Sequence, residues 1–171
     1  MASAEYLRDT LNEFRRYKDL ADRALAQVSD GDFFATLDAE SNSVAVIVKH
    51  LAGNWRSRWR DFLSTDGEKP DRRRDAEFMI ETGDTRASLM ARWEAGWQLL
   101  SGTMESLHPD DVGRTVTVRG EPHTVLQAIS RQLGHVAYHV GQIVFLAKHF
   151  AGPRWETLSI PRGKSEQVNA R

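Results

Sequence analysis

Four stretches of this chain place an apolar residue at every third or fourth position for 20 residues or more. A helix with one such stripe must bury it against another element. The first stretch runs from about Ala4 to Val28 on Leu7, Leu11, Phe14, Leu20 or Ala21, Leu25 and Val28, and the SDGD of 29–32 breaks it. A second begins near Ser43, where Ser41, Asn42 and Ser43 all offer capping oxygens, and reaches about Ser64 on Val44, Ile47 or Val48, Leu51, Trp55, Trp59 and Phe62. Asp84 or Thr85 caps a third, which extends to Leu107 on Leu89, Trp93, Gly96 or Trp97, Leu100 and Met104. Thr124 and Gln127 form a capping box for a fourth that ends near Phe150. The economical way to bury four long stripes is an antiparallel bundle, so the expected fold is all-α, a four-helix bundle.

The connections qualify that picture. Residues 65–84, TDGEKPDRRRDAEFMIETGD, are polar, broken by Gly67, Pro70 and Gly83, and longer than a bundle needs; such loops tend to carry function. In 114–123, RTVTVRGEPH, Val116 and Val118 alternate with polar residues and Gly120 supplies a turn, which predicts a short β-hairpin or extended crossover before the last helix. These long connections permit a topology other than simple up-down-up-down. Residues 1–171 are expected to form one domain, with the last 20 or so a tail along the surface.

Composition excludes several functions. The 23 basic and 24 acidic residues nearly cancel, so no global field draws in nucleic acid or an anionic membrane. No segment approaches the roughly 20 apolar residues of a membrane span, and the charged, amphipathic start has no signal-peptide core; the expected location is the cytoplasm. With no cysteine there is no disulfide, thiolate ligand or cysteine nucleophile, and any metal must be held by nitrogen and oxygen.

Of six histidines, His108 and His123 fall in loops or turns and are expected in solvent, and His149 lies about 80° around its helix from His139. His135 and His139 stand at i and i+4 beside the stripe Ile129, Leu133, Val136, Val140 and Ile143, a spacing that lets both rings reach one ion. His50 lies at the core edge of the second helix. If that helix neighbours the fourth, three neutral imidazoles can meet on one face of a metal, leaving the other positions open. Spacing alone keeps the alternative of packed, hydrogen-bonded core histidines. Val136 stands where a metalloprotease helix has its glutamate, which removes that reading.

The strings HLAGN (50–54), HVAYHVGQ (135–142) and LSIPRGKS (158–165), within longer matching stretches at 48–78, 114–148 and 155–167, resemble the DinB/YfiT-like metalloenzyme superfamily. More narrowly they resemble a branch known only as a domain of unknown function. The resemblance covers nearly the whole chain. It implies a four-helix bundle with an unusual connection, a homodimer, and a divalent metal held by His50, His135 and His139. Characterised members of the superfamily include mycothiol-dependent isomerases and bacillithiol transferases, which makes a low-molecular-weight thiol S-transferase the leading expectation. A metal-dependent hydrolase, a non-catalytic metal-binding or stress module, and a structural helical dimer are the alternatives. No residue here is specific to a thiol cosubstrate.

Three imidazoles and open positions suit zinc or nickel, with iron or manganese as further choices. Asn54, Arg58 and Gln142 are candidates for contact with a small-molecule substrate or for support of the ligands. Each also has an ordinary reading, Arg58 as the partner of Asp61 or Glu94. The tryptophan pairs 55/59 and 93/97 are expected in the core, and Arg72, Arg73 and Arg74 in a local knot with Asp71, Asp75 and Glu77. Gly134 and Gly141 each cost a helix about 1 kcal/mol, which close approach of another helix would explain.

Overall fold

A computed structural model describes residues 1–166. Among these, five α-helices and one antiparallel hairpin carry the fold: α1 (Ala2–Leu25), α2 (Asp30–Phe34), α3 (Val44–Trp59), α4 (Arg86–Ser106), β1 (Thr115–Val118), β2 (Glu121–Thr124) and α5 (Val125–Ala151). The chain is mostly helical, and the last five residues, part of the expected surface tail, lie outside the described ones.

Local chemistry sets the boundaries. The SDGD expected only to interrupt α1 starts a helix of its own: the Ser29 hydroxyl accepts the Asp32 N–H and α2 drops Phe33 fully into the core. Ser43 caps α3 by accepting the Val46 N–H. That helix stops at Trp59 rather than near Ser64, because Arg60 is extended and Asp61 takes a left-handed φ of 49°. Phe62 stays buried even so. Thr85 and Ser88 box the start of α4, as Thr124 and Gln127 box that of α5.

Helix α3 packs along α4, α1 along α5, and a further α3–α5 contact joins the pairs around one contiguous apolar core. On α4 the stripe passes through Gly96, with Trp97 only half-buried. A side chain at 96 would press on the Trp55 ring and the Ala52 carbonyl, so the two helices meet there at glycine. The hairpin pairs Thr115 with Thr124 through Val118 with Glu121, and Arg119 and Gly120 both have positive φ, the signature of a tight two-residue turn. Asp66 accepts the N–H of both turn residues and Gly67 donates to the Thr117 carbonyl, which fastens the long connection to the hairpin. Among the described residues, no atom beyond their own helix turn lies within 4 Å of where a Cβ on Gly134 or Gly141 would stand, so no described helix explains them.

Candidate metal centre

Helix α3 is buried on nearly every side, including Lys49, His50, Asn54, Ser57 and Arg58. Buried polar groups need partners, and the connection between α3 and α4 supplies them to Lys49, His50, Ser57 and, in part, Arg58. Lys49 donates to Asp84 and to the Met79 carbonyl, Ser57 to the Gly67 carbonyl, and Arg58 to Glu68. The His50 Nδ1 lies 2.8 Å from Glu77 Oε2. A segment that looked like an overlong loop is thus the polar cover of the central helix.

Where α3 crosses α5, His50 meets His135 and His139. The ring centroids lie 5.2 Å (50–135), 4.9 Å (50–139) and 4.8 Å (135–139) apart, and one nitrogen from each ring falls within 4.8 Å of the others. Hydrogen bonds decide which nitrogens are free. Glu77 is gripped by Arg72, Nε to Oε1 and Nη2 to Oε2, both 2.8 Å. Burial pushes its carboxyl upward, but the hydrogen bonds from Arg72 and His50 outweigh that and hold it below the ordinary glutamate value. An ionised carboxylate only accepts, so His50 donates its Nδ1–H to Glu77, and Nε2 is the nitrogen turned toward the other two rings. The His139 Nδ1 is likewise engaged by Gln142 Oε1 at 2.8 Å, which leaves its Nε2 free. His135 Nε2 stands 3.1 Å from His50 Nε2, while its own Nδ1 is buried without a partner.

Two imidazole nitrogens on one tetrahedral ion, each about 2.05 Å away, would be separated by about 3.3 Å. The observed 3.1 Å is close to that spacing. Burial first, then the neighbouring His139 and His50 rings, lowers the His135 pKa from 6.5 to about 3; burial lowers that of His139 to about 4 although the Gln142 bond opposes it. Both rings are therefore neutral near pH 7, the form that donates to a metal. The three histidines can hold a divalent ion.

Beside the triad opens a cavity of about 370 Å³, framed by α3, the hairpin and α5. Asn54 and Arg58 line it; Gln142 does not, and instead steadies His139. Arg58 pairs with Glu68 at 3.0 Å rather than with Asp61 or Glu94, the latter being bonded to Lys18. His123, expected in solvent, is half-buried in the cavity wall because the hairpin folds back over α5. His108 is exposed, as expected, and His149, which points away from the triad, is exposed too. The local knot expected of Arg72, Arg73 and Arg74 is present in part: Arg72 pairs with Glu77 and Arg74 with Asp75. Arg72 also reaches Glu68 with its side chain buried, and Asp71 pairs with Arg56 and Arg60 instead.

Sequence reasoning gave Glu77 only as a partner of the arginine triplet and Gly53 only as part of HLAGN, and it missed Gln132 and Arg131. Glu77 sits 27 positions from His50 with no periodicity to link them. Its one trace is the glycine of HLAGN, since a Cβ on Gly53 would collide with Glu77 Oε1.

A helical fold that brings three imidazoles together beside a cavity defines a candidate metal-binding protein. Residues 1–164 match the family described as Protein of unknown function (DUF1572), and the chain belongs to that family. Comparison with curated proteins and with solved structures finds no match.

Proposed function

We propose that this is a single-domain DinB-like metalloprotein that binds one divalent ion, zinc or nickel by preference, through the Nε2 atoms of His50, His135 and His139. The observation that carries the reading is the convergence of three rings with two of the far nitrogens anchored, by Glu77 and Gln142. Such outer hydrogen bonds fix tautomer and ring orientation at metal sites.

The cavity beside the triad favours an enzyme acting on a small molecule over a non-catalytic module, and a low-molecular-weight thiol S-transferase is the reaction we assign. A bound divalent ion supplies Lewis acidity, lowering the pKa of a thiol or water placed on it. The chain's own contribution is positional. Glu77 keeps the His50 proton on the outer nitrogen, Arg72 keeps Glu77 ionised, and Asn54 and Arg58 face a substrate lodged in the cavity. Water excluded from this half-buried space would otherwise compete for the electrophile.

We also assign a homodimer. Tyr138, Phe145, Gly134 and Gly141 lie on one exposed side of α5, with Tyr138 and Phe145 at 55% and 65% exposure. Among the described residues no helix is long and apolar enough to cross a membrane, which agrees with a cytoplasmic assignment.

Protein purified without a histidine tag and reconstituted with zinc or nickel should hold one ion per chain, and His135→Ala should not. Stoichiometric metal in that variant would overturn the ligand set. With the metal in place, a screen of thiols against alkyl and epoxide electrophiles should give turnover that His135→Ala lacks; metal binding without turnover would leave a binding module instead.

A further inference from the structure

The wall of the cavity has a composition that the metal site does not use. Five arginines line it, Arg58, Arg72, Arg74, Arg119 and Arg131, and no carboxylate does. Nearby acids neutralise only some of this charge. Glu68 alone serves three guanidiniums, at 3.0 Å from Arg58, 3.0 Å from Arg119 and 3.3 Å from Arg72. Glu77 is committed to Arg72 and His50, and Asp66 is turned to the backbone N–H groups of Glu68, Arg119 and Gly120. Among the described residues Arg131 makes no ion pair, and Arg74 pairs only with Asp75, at 3.8 Å, while its guanidinium lies over the Phe78 ring.

A second observation points the same way. Arg58 Nη1, Asn54 Oδ1 and Gln132 Oε1 are buried and have no hydrogen-bond partner, and all three residues line this cavity. Their residues are at most 7% exposed. A buried polar group without a partner destabilises a fold, and native folds keep few of them. Here one donor and two acceptors stand together, short of a ligand that offers the reverse. The remaining wall mixes apolar Phe62, Val116 and Val118 with Thr117, His123 and Tyr138. The cavity's volume is at the small end of the range of ligand sites, about 300–1,000 Å³.

We infer that the cavity is the binding site of a small organic oxyanion, whose carboxylate or phosphate sits on the Arg58–Arg131 side and whose hydroxyl or amide N–H groups meet Asn54 and Gln132. The guanidinium fork suits a planar or tetrahedral oxyanion in two-point contact. This names the substrate class for the enzyme proposed above and rests on that reading for its orientation alone: the charged end lies on the arginines, so the reactive end points to the triad. Binding of the anion itself needs no metal.

The test uses the full chain stripped of metal by a chelator that is then removed. It is titrated with lactate, inorganic phosphate and uncharged lactamide, and binding is followed by backbone-amide NMR shifts. Lactate or phosphate should shift the α3, hairpin and α5 signals around the cavity, and the one that binds better identifies the head group. Lactamide should bind at least about tenfold more weakly, and Arg131→Gln, at an exposed position, should weaken the anion by about tenfold. Arg58→Lys, which keeps the charge and loses the fork, should do the same if it folds. Lactamide binding as well as lactate, an unchanged anion affinity in Arg131→Gln, or no response to any of the three overturns the inference. Metal content is measured in parallel on reconstituted samples. Anion binding without metal binding would sink the metal reading and leave this one standing; metal binding without anion binding would do the reverse.

Discussion

Glu77 is the residue on which the triad's chemistry turns. It lies on the outer side of His50, where it cannot touch an ion bound inside, yet it selects the tautomer that frees the inner nitrogen. Glu77→Gln keeps the shape but can present an N–H to Nδ1, which favours the proton on Nε2, and removes the anionic partner of buried Arg72. The variant should bind metal about 10–100-fold more weakly in a chelator competition; an unchanged affinity would show that the bond is incidental. Gly53 is the companion case. A methyl there displaces Glu77, so Gly53→Ala should cost about 1–3 kcal/mol in urea unfolding, as overpacking of a buried site does. A change within about 0.3 kcal/mol would mean that Glu77 moves aside freely. His135 and His139 were legible from spacing and His50 from its place on the core edge. Glu77 was not, because nothing in a one-dimensional pattern joins a glutamate in a polar loop to a histidine 27 residues earlier.

At the scale of elements, the four long helices were readable because each must bury one stripe and three of them, α3, α4 and α5, start at a recognisable cap. The connection between α3 and α4 was not. Its composition marks it as polar and turn-rich, and its function as a cover follows from an odd property of α3: a central helix with five buried polar side chains. Lys49 illustrates the dependence. Its ammonium is buried and bonded to Asp84, itself only 8% exposed, at 2.6 Å. Removing one partner of a buried pair leaves a charge without compensation, so Asp84→Ala should destabilise the fold by about 3–5 kcal/mol. Exposed Glu81, 3.4 Å from the same ammonium, makes the lower end the better expectation. A loss under about 0.5 kcal/mol in urea unfolding would show that the connection is not fastened to α3 in this way. The hairpin was foreseen from its alternation and Gly120, but not its position over the cavity, which brings His123 and Arg119 into the wall.

For the whole molecule, burying neutral imidazoles ties stability to pH. The folded pKa values of His135 and His139, about 3 and about 4, lie below the 6.5 of the free side chain. As pH falls below 6.5 the unfolded chain takes up protons that the folded metal-free chain refuses. Stability is therefore fullest above about pH 6.5 and is lost progressively toward pH 4. Between pH 6.5 and 5 ordinary carboxylates stay ionised, so the histidines dominate this window. The melting temperature of metal-free protein should fall across it, and less steeply in His135→Leu; a flat profile would contradict the buried neutral rings. A bound ion stabilises the folded state by mass action, so loaded protein should melt higher at pH 7. Protons displace the ion as they compete for the same nitrogens, and the advantage should vanish as pH approaches the imidazoles' lowered pKa values.

The central claim is that three particular nitrogens share one ion, and cobalt(II) reports on it directly through its visible absorption. Titration of the metal-free protein should give a spectrum that saturates at one equivalent per chain, and replacing His50, His135 or His139 singly by alanine should abolish that break. A titration without saturation, or a one-equivalent break that survives in His50→Ala, would contradict it.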